Sequence, residues 1–221
     1  MTVQRELVRK LLGQMEPFEG AVDLSRADAQ GWGSDHPYLT RAIDELRPSL
    51  IVEVGVWKGG SVMTMANRLR ELGLDGAVIA IDTWLGAYEH WLTGDWLSHL
   101  AFERGYPTIF QTFRANIVAA NLQDYVVPMP LDSINAGHVL RHHGMQADVI
   151  HIDGAHDYQA VLADLQQWWS LLRPGGVLIG DDYHPSGPVW PGVRQAFNEF
   201  FQTDALENSG GKCWISKAAD Q

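Results

Sequence analysis

The chain has 221 residues, 46% of them hydrophobic and 19% charged, which suits one globular domain and excludes a disordered polyelectrolyte. A formal charge of −11 repels phosphate backbones and anionic lipid, so neither nucleic acid nor a membrane surface is an expected partner. One cysteine, Cys213, excludes an internal disulfide framework and a multi-cysteine zinc site; without a transmembrane-length apolar run or a signal-like segment over residues 1–10, a cytoplasmic protein is expected.

Residues 3–15 place Val3, Leu7, Val8, Leu11 and Leu12 on one face at 3.6-residue spacing, predicting an amphipathic helix. Residues 17–37, rich in Gly, Asp and Ser, predict loop with one short turn, and residues 38–46 a second helix stopped by Pro48. From Ser49 the rhythm changes. Residues 50–54 (LIVEV) form a short, branched, apolar strand ending at Gly55, and residues 61–72 a helix with Gly73 as its stop. Residues 77–81 (AVIAI) are a second strand, ending at Asp82. Residues 125–129 are a third, and Pro128 marks it as an edge strand or a strand end. Residues 148–152 (DVIHI) are a fourth strand and residues 158–172 a helix. Arg173-Pro-Gly-Gly176 then makes a turn before a fifth strand over residues 177–179. Residues 192–201 are a last helix, and residues 205–207 and 213–216 flank Asn208-Ser-Gly-Gly211 as a terminal hairpin.

Strands that are almost wholly apolar and alternate with helices predict an α/β fold with a parallel sheet covered on both faces. Ligands of such sheets bind beyond the carboxyl ends of the strands. Polar residues recur at those ends: Glu53 with Gly55, Asp82, Asp132, Asp153, and Asp181 with Asp182. The long gap of residues 83–124 interrupts the alternation as an aromatic-rich insertion.

Glu53-Val-Gly-Val-Trp-Lys-Gly-Gly-Ser61 follows a strand and opens a helix, so its glycines allow a tight turn and close approach to unpaired helix N–H groups. A dinucleotide fingerprint from Gly55 would need glycine at Trp57, so a nicotinamide cofactor is disfavoured. Glu53 also puts negative charge where a diphosphate would lie, which suits a cofactor with a cationic centre and an ammonium group. Asp82 is placed to accept hydrogen bonds from a ribose diol. The competing reading is that the glycines merely turn the chain and Asp82 caps a helix.

Glu53-x-Gly55, Asp82 and the Leu172-Arg-Pro-Gly-Gly-Val177 turn together resemble the class I S-adenosylmethionine-dependent methyltransferases over residues 48–216. The resemblance implies one domain over residues 1–221. It has a Rossmann-like, doubly wound, mostly parallel seven-stranded sheet, a C-terminal antiparallel hairpin and a helical N-terminal cap over residues 1–47. It also implies that Glu53 and Gly55 line the methionine side, Asp82 holds the ribose and Asp132-Ser133 borders the adenine. Gly60, Ser61, Thr83 and Trp84 are further cofactor-binding candidates.

If the fourth and fifth strands are neighbours, Asp153, Asp181 and Asp182 converge. Three carboxylates pressed together repel one another unless a cation neutralises them, and all-oxygen ligation favours Mg²⁺ or another hard divalent cation. A hydroxyl chelated there would lose its proton more easily, with His156 as general base. The alternative for the aspartates is helix capping and turn-making. His151, inside a buried strand, reads as a core histidine, and His184, before Pro185, as a loop residue. Asp153 with His156 and the Asp181-Asp182 pair resembles the metal-dependent macrolide-sugar and cephalosporin-biosynthesis O-methyltransferases. It departs from the macrolide enzymes in carrying Asp181 where glutamate is frequent, and from catechol-type enzymes in carrying His156 where lysine is usual.

Nine tryptophans are many for this length. Trp84, Trp91 and Trp96 fall in the segment expected over the cofactor edge, as a substrate lid or an oligomer contact, whereas Trp168, Trp169, Trp190 and Trp214 read as packing residues. The resulting expectation is Mg-assisted methyl transfer to a hydroxyl of a small oxygen-rich metabolite, a sugar, antibiotic or related natural product. The alternatives are a metal-dependent hydrolase using the same carboxylates and a non-catalytic nucleoside-binding or assembly protein. A homo-oligomer is compatible with either.

Overall fold

The computed structural model describes residues 1–13, 15–92 and 94–219. The expected first helix spans Val3–Leu11 (α1), capped by Thr2; the predicted stretch reaches Gln14, which lies outside the described residues, as do Asp220 and Gln221 of the expected domain. Helix α2 (Pro37–Leu46) starts one residue before the expected position, where His36 accepts the Tyr38 N–H at 3.1 Å.

The strands β1 (Leu50–Val54) and β2 (Ala77–Ile81) have the predicted bounds because each is a wholly buried run, apolar but for Glu53, cut off by a polar or glycine residue. They are followed by β3 (Val126–Met129), β4 (Ala147–Ile152), β5 (Leu172–Gly180), β6 (Glu207–Ser209) and β7 (Lys212–Ser216) in one sheet of order β3-β2-β1-β4-β5-β7-β6. β1 to β5 pair in parallel and β7 runs antiparallel to β5 and β6. β3 is an edge strand, so Pro128 lies in it without removing a bond the sheet needs.

One expectation is corrected at β5. Arg173-Pro-Gly-Gly176 does not precede the strand; it is a bulge within it. Between the pairs Ala147–Leu172 and Val149–Val177, β4 advances two positions while β5 advances five. Gly175 is left-handed (φ 73°) and donates its N–H to Lys217 O at 3.0 Å, so the edge of the bulge is held by the chain's C-terminal segment. The terminal hairpin is likewise shifted, turning at Gly210-Gly211.

Helices α3 (Gly60–Glu71), α6 (Ile109–Ala119) and α2 cover one face of the sheet. Helices α7 (Ser133–His142), α8 (Tyr158–Trp169), α9 (Pro191–Phe201) and α1 cover the other. Alternate residues of β1 divide between the two cores, Ile51 to one and Val52 to the other, so both faces are buried. The aromatic insertion is itself helical, with α4 (Tyr88–Leu92) and α5 (Gly94–His99) ahead of α6. The strand order reverses between β1 and β4, which leaves a crevice beyond their carboxyl ends.

Candidate active site

The loop after β1 is built for close approach. Gly55 has φ 82° and donates to Ile81 O at 2.9 Å, and a Cβ on it would land on the backbone carbonyl of Asp153. Asp82, at the end of β2, braces this loop: Oδ2 accepts the N–H groups of Val56 (2.8 Å) and Trp57 (2.9 Å), and Oδ1 accepts that of Trp84 (2.7 Å). The carboxylate expected to face a ribose therefore also holds the glycine turn in shape. Trp84 locks the arrangement by donating Nε1–H to Trp57 O at 3.0 Å. It is 3% exposed and packs against Phe110 and Phe113, so it works first as a wall.

A cavity of about 390 Å³ lies above this loop. Gly55, Asp82, Thr83, Trp84, Asp132 and Ser133, all expected around the cofactor, border it. Asp132 caps α7, accepting the Asn135 N–H at 2.9 Å and its Nδ2–H at 2.6 Å, and these bonds hold its pKa below the ordinary value. The Ser133 hydroxyl donates to Asp164 and accepts Trp168 Nε1–H at 2.8 Å. Asp164 borders the cavity too, its pKa raised to about 6 by burial.

Glu53 requires a correction. Its side chain is fully buried beneath the loop and borders neither this cavity nor the one adjoining it. Oε1 accepts the Ser61 hydroxyl, Oε2 has no donor, and burial pushes the acid up to about 8. Such a group is protonated at neutral pH, because its desolvated anion has one hydroxyl for support. Gly60 and Ser61 border the second cavity instead of the first.

That second cavity, of about 370 Å³, shares Gly55, Trp57, His90, Asp153 and Gly154 with the first. Its aromatic side is a run of rings: Trp32 stacks on Trp96 (5.0 Å, 15°), Trp96 on His90 (4.8 Å, 23°), and His90 lies 4.5 Å from Trp57. Opposite, His156 stacks on Trp190 at 4.0 Å and 17°. Trp190 is thus a site residue and not the packing residue its sequence context implied. Trp168 and Trp214 are core residues as expected, and His184 borders this cavity.

The carboxylates meet here. Asp153, Asp181 and Asp182 all border the second cavity, and Asp153 lies against Asp181. Burial first, then the charge of Asp181, raises the pKa of Asp153 well above the carboxylate range. Asp181 is paired with Lys212, a buried lysine on β7 whose Nζ is also 3.2 Å from His151 Nε2. Asp182 has φ 54° and turns Oδ2 to His156 Nε2 at 2.9 Å, while Glu89 Oε1 stands 3.5 Å from Nδ1. Burial alone would lower the pKa of His156, but these two carboxylates outweigh it and raise the pKa.

The expected metal triad is corrected in its geometry. Among the described residues, the set with ligand atoms all within 4.8 Å of one another is Glu53, His151 and Asp153. Asp181 and Asp182 are drawn to internal cationic partners, Lys212 and His156, because each carboxylate relieves its repulsion through the nearest positive group. The donor chemistry still fits a hard cation, since three carboxylates border one cavity. His151 is buried and held neutral, its pKa lowered to about 3 by burial and by Lys212.

Sequence reasoning did not single out Trp32, His90, Asp164 or Lys212, and it read Trp190 as packing. Two had a usable signal: Asp164 interrupts the apolar face Val161, Leu165, Trp168, and Lys212 opens an otherwise apolar strand.

A family model described as a methyltransferase domain matches residues 52–183. A relative from Sinorhizobium fredii (strain NBRC 101917 / NGR234), the uncharacterized protein y4gI, is 27% identical over 153 residues, covering 68% of this chain and 15% of that protein. The chain thus spans about 15% of the length of this curated relative. Among solved structures, the O-methyltransferase NovP superposes with TM-score 0.60 at 18% identity, over 97% of this chain and 98% of that one. Cofactor-bound Rv0187 from MTB gives 0.61 at 15% identity, over 97% and 96%. An O-methyltransferase from Bacillus cereus in complex with SAH gives 0.55 at 18% identity, over 97% and 90%. At these identities the likeness is one of fold.

Proposed function

The chain belongs to the methyltransferase-domain family, and from that premise we propose that it is an S-adenosylmethionine-dependent O-methyltransferase acting on a hydroxyl of a small, oxygen-rich metabolite. The observation that carries this reading is the pair of adjoining cavities at the crevice between β1 and β4. One borders the glycine turn, Asp82 and Ser133, which suits a nucleoside; the other borders the tryptophans, His156 and the aspartates, which suits an acceptor. Gly55, Trp57 and Asp153 belong to both, so a donor sulfonium and an acceptor oxygen can meet there. The overall charge of −11 favours a neutral or cationic acceptor over a nucleic acid.

Asp82 holds the turn after β1 and, with three of its about four acceptor positions taken, offers the one left on Oδ1 to a ribose hydroxyl. Asp153, Asp181 and Asp182 would hold Mg²⁺ or another hard cation, which when bound favours the deprotonated form of an acceptor hydroxyl. The Lys212 ammonium already supplies one positive charge to that cluster. His156 takes the hydroxyl proton, and Asp182 and Glu89, one beside each ring nitrogen, stabilise the imidazolium that forms. Trp190 fixes the plane of the ring by stacking. The acceptor oxygen then bonds to the methyl carbon as the carbon–sulfur bond breaks.

Calorimetry with S-adenosylhomocysteine tests the donor side. Wild type binds it and Asp82→Ala weakens binding at least tenfold; no binding by wild type overturns the reading. On the acceptor side, His156→Ala lowers turnover by about 10²–10⁴-fold while S-adenosylhomocysteine affinity stays within threefold. An unchanged rate removes His156 as base. Mn²⁺ titrated by electron paramagnetic resonance binds wild type and is lost in Asp153→Asn, and equal binding by both removes the metal assignment.

A further inference from the structure

Lys212 is 1% exposed, although lysine is among the residues least often buried. Strand register puts it inside. β7 runs antiparallel to β5 with Cys213 opposite Gly180, so the next step sets Lys212 beside Asp181. Its ammonium donates to Asp181 Oδ2 and, at 3.2 Å, to His151 Nε2. Gly33 of the N-terminal segment closes over it, for a Cβ there would stand 3.8 Å from Nζ. Asp181 and Gly211 border the second cavity, whereas Lys212 does not. The ammonium thus stands behind Asp181, shielded from water and from an acceptor. Asp181 Oδ1 accepts the Asp182 N–H at 2.8 Å, and a lone pair on each oxygen remains for a cation.

We propose that Lys212 is a specificity-determining residue for the ion, a fixed positive charge that matches the cluster of Asp153, Asp181 and Asp182 to a divalent cation and against a trivalent one. The inference rests on the cation assigned to those aspartates above. Three ionised carboxylates against one ammonium leave a double negative charge, which a divalent ion neutralises. His156 is neutral in the form that acts as a base, so it adds nothing to this balance. Without the ammonium the cluster is matched to a triple charge. Repulsion between Lys212 and the ion grows with the charge of the ion, so removing the lysine favours a trivalent ion more than a divalent one. Burial of the ammonium leaves little water or salt to screen that repulsion.

Lys212→Gln keeps an N–H donor for Asp181 and removes the charge. Full-length wild type and variant are titrated at one pH with Mn²⁺, followed by electron paramagnetic resonance, and with Tb³⁺, followed by tryptophan-sensitised luminescence. The variant is expected to bind both ions more tightly, and its preference for Tb³⁺ over Mn²⁺ is expected to exceed that of wild type by about tenfold or more. Comparing each ion with itself across the two proteins cancels the difference in ionic size. Should Lys212→Gln not melt cooperatively, Lys212→Met, of similar length, is used in the same way. A smaller rise in preference, even with a lowered melting temperature, overturns the role and leaves Lys212 a structural partner of Asp181, with the metal assignment standing. Absence of Mn²⁺ binding by wild type overturns the metal assignment and this inference with it.

Discussion

Two carboxyl groups of this chain, one partly and one fully buried, have opposite environments and opposite consequences for stability. Burial of Asp148 would raise its pKa, yet the N–H groups of Leu50 and Ser49, both at 2.8 Å, and the Arg173 guanidinium hold it below the ordinary value. A depressed pKa means the unfolded chain takes up the proton first as pH falls. The stabilisation is therefore complete above the unfolded pKa of about 3.9 and is lost as pH drops through the folded value. Asp148→Asn is expected to cost about 1–3 kcal/mol in chemical denaturation at pH 7, with the gap to wild type closing in acid. Glu53 is the reverse case, raised to about 8 by burial. Its folded form keeps a proton that the unfolded chain loses near pH 4.3, so its contribution falls as pH rises from about 4.3 to about 8. Glu53→Gln is expected to melt several degrees higher than wild type at pH 8 and alike at pH 4. A lower melting point at pH 8 would show that the charged form is the one the fold prefers. The presence of both acids at strand ends was readable in the sequence; the sign of each shift was not, because it depends on which donors the neighbouring strands supply.

Strand bounds followed closely from the pattern, since a run such as Leu50–Val54 is apolar on both faces and ends at a residue that cannot continue it. Gly55 was also readable as a turn. The structure adds why no other residue serves: φ 82° is costly for a side chain, and a Cβ would collide with the Asp153 carbonyl. Gly55→Ala must push the ends of β1 and β4 apart, and is expected to cost about 1–3 kcal/mol and weaken S-adenosylhomocysteine binding more than tenfold. Normal affinity in the variant would show that the loop yields without disturbing the cavity. The bulge in β5 was misread as a turn before the strand because Pro-Gly-Gly signals a chain reversal locally. Pairing with β4 on one side and the Lys217 segment on the other keeps it in the sheet. The helices α4 and α5 were not foreseen, for each is too short to show a helical period and holds no fully buried residue.

The same weak anchoring predicts where the folded chain is first cut. Helices without buried side chains open at little cost, so limited proteolysis is expected to nick Tyr88–Leu92 or Gly94–His99 before the sheet is attacked. Ala87 and His90 border the first cavity and Trp96 the second, so S-adenosylhomocysteine should slow these cuts several-fold; equal rates with and without it would detach the insertion from the site. Among the described residues no helix is long and apolar enough to cross a membrane. The α/β alternation, the edge position of β3, the glycine turn and the acids at the strand ends were all present in the linear order of residues, because each depends on neighbours within a few positions. The partners of those acids were not. Lys212 reaches Asp181 across 31 positions and His151 across 61, and Trp190 stacks on His156 across a helix, a strand and a loop. Electrostatic and stacking contacts of that kind exist only once strand order has brought distant side chains into one crevice.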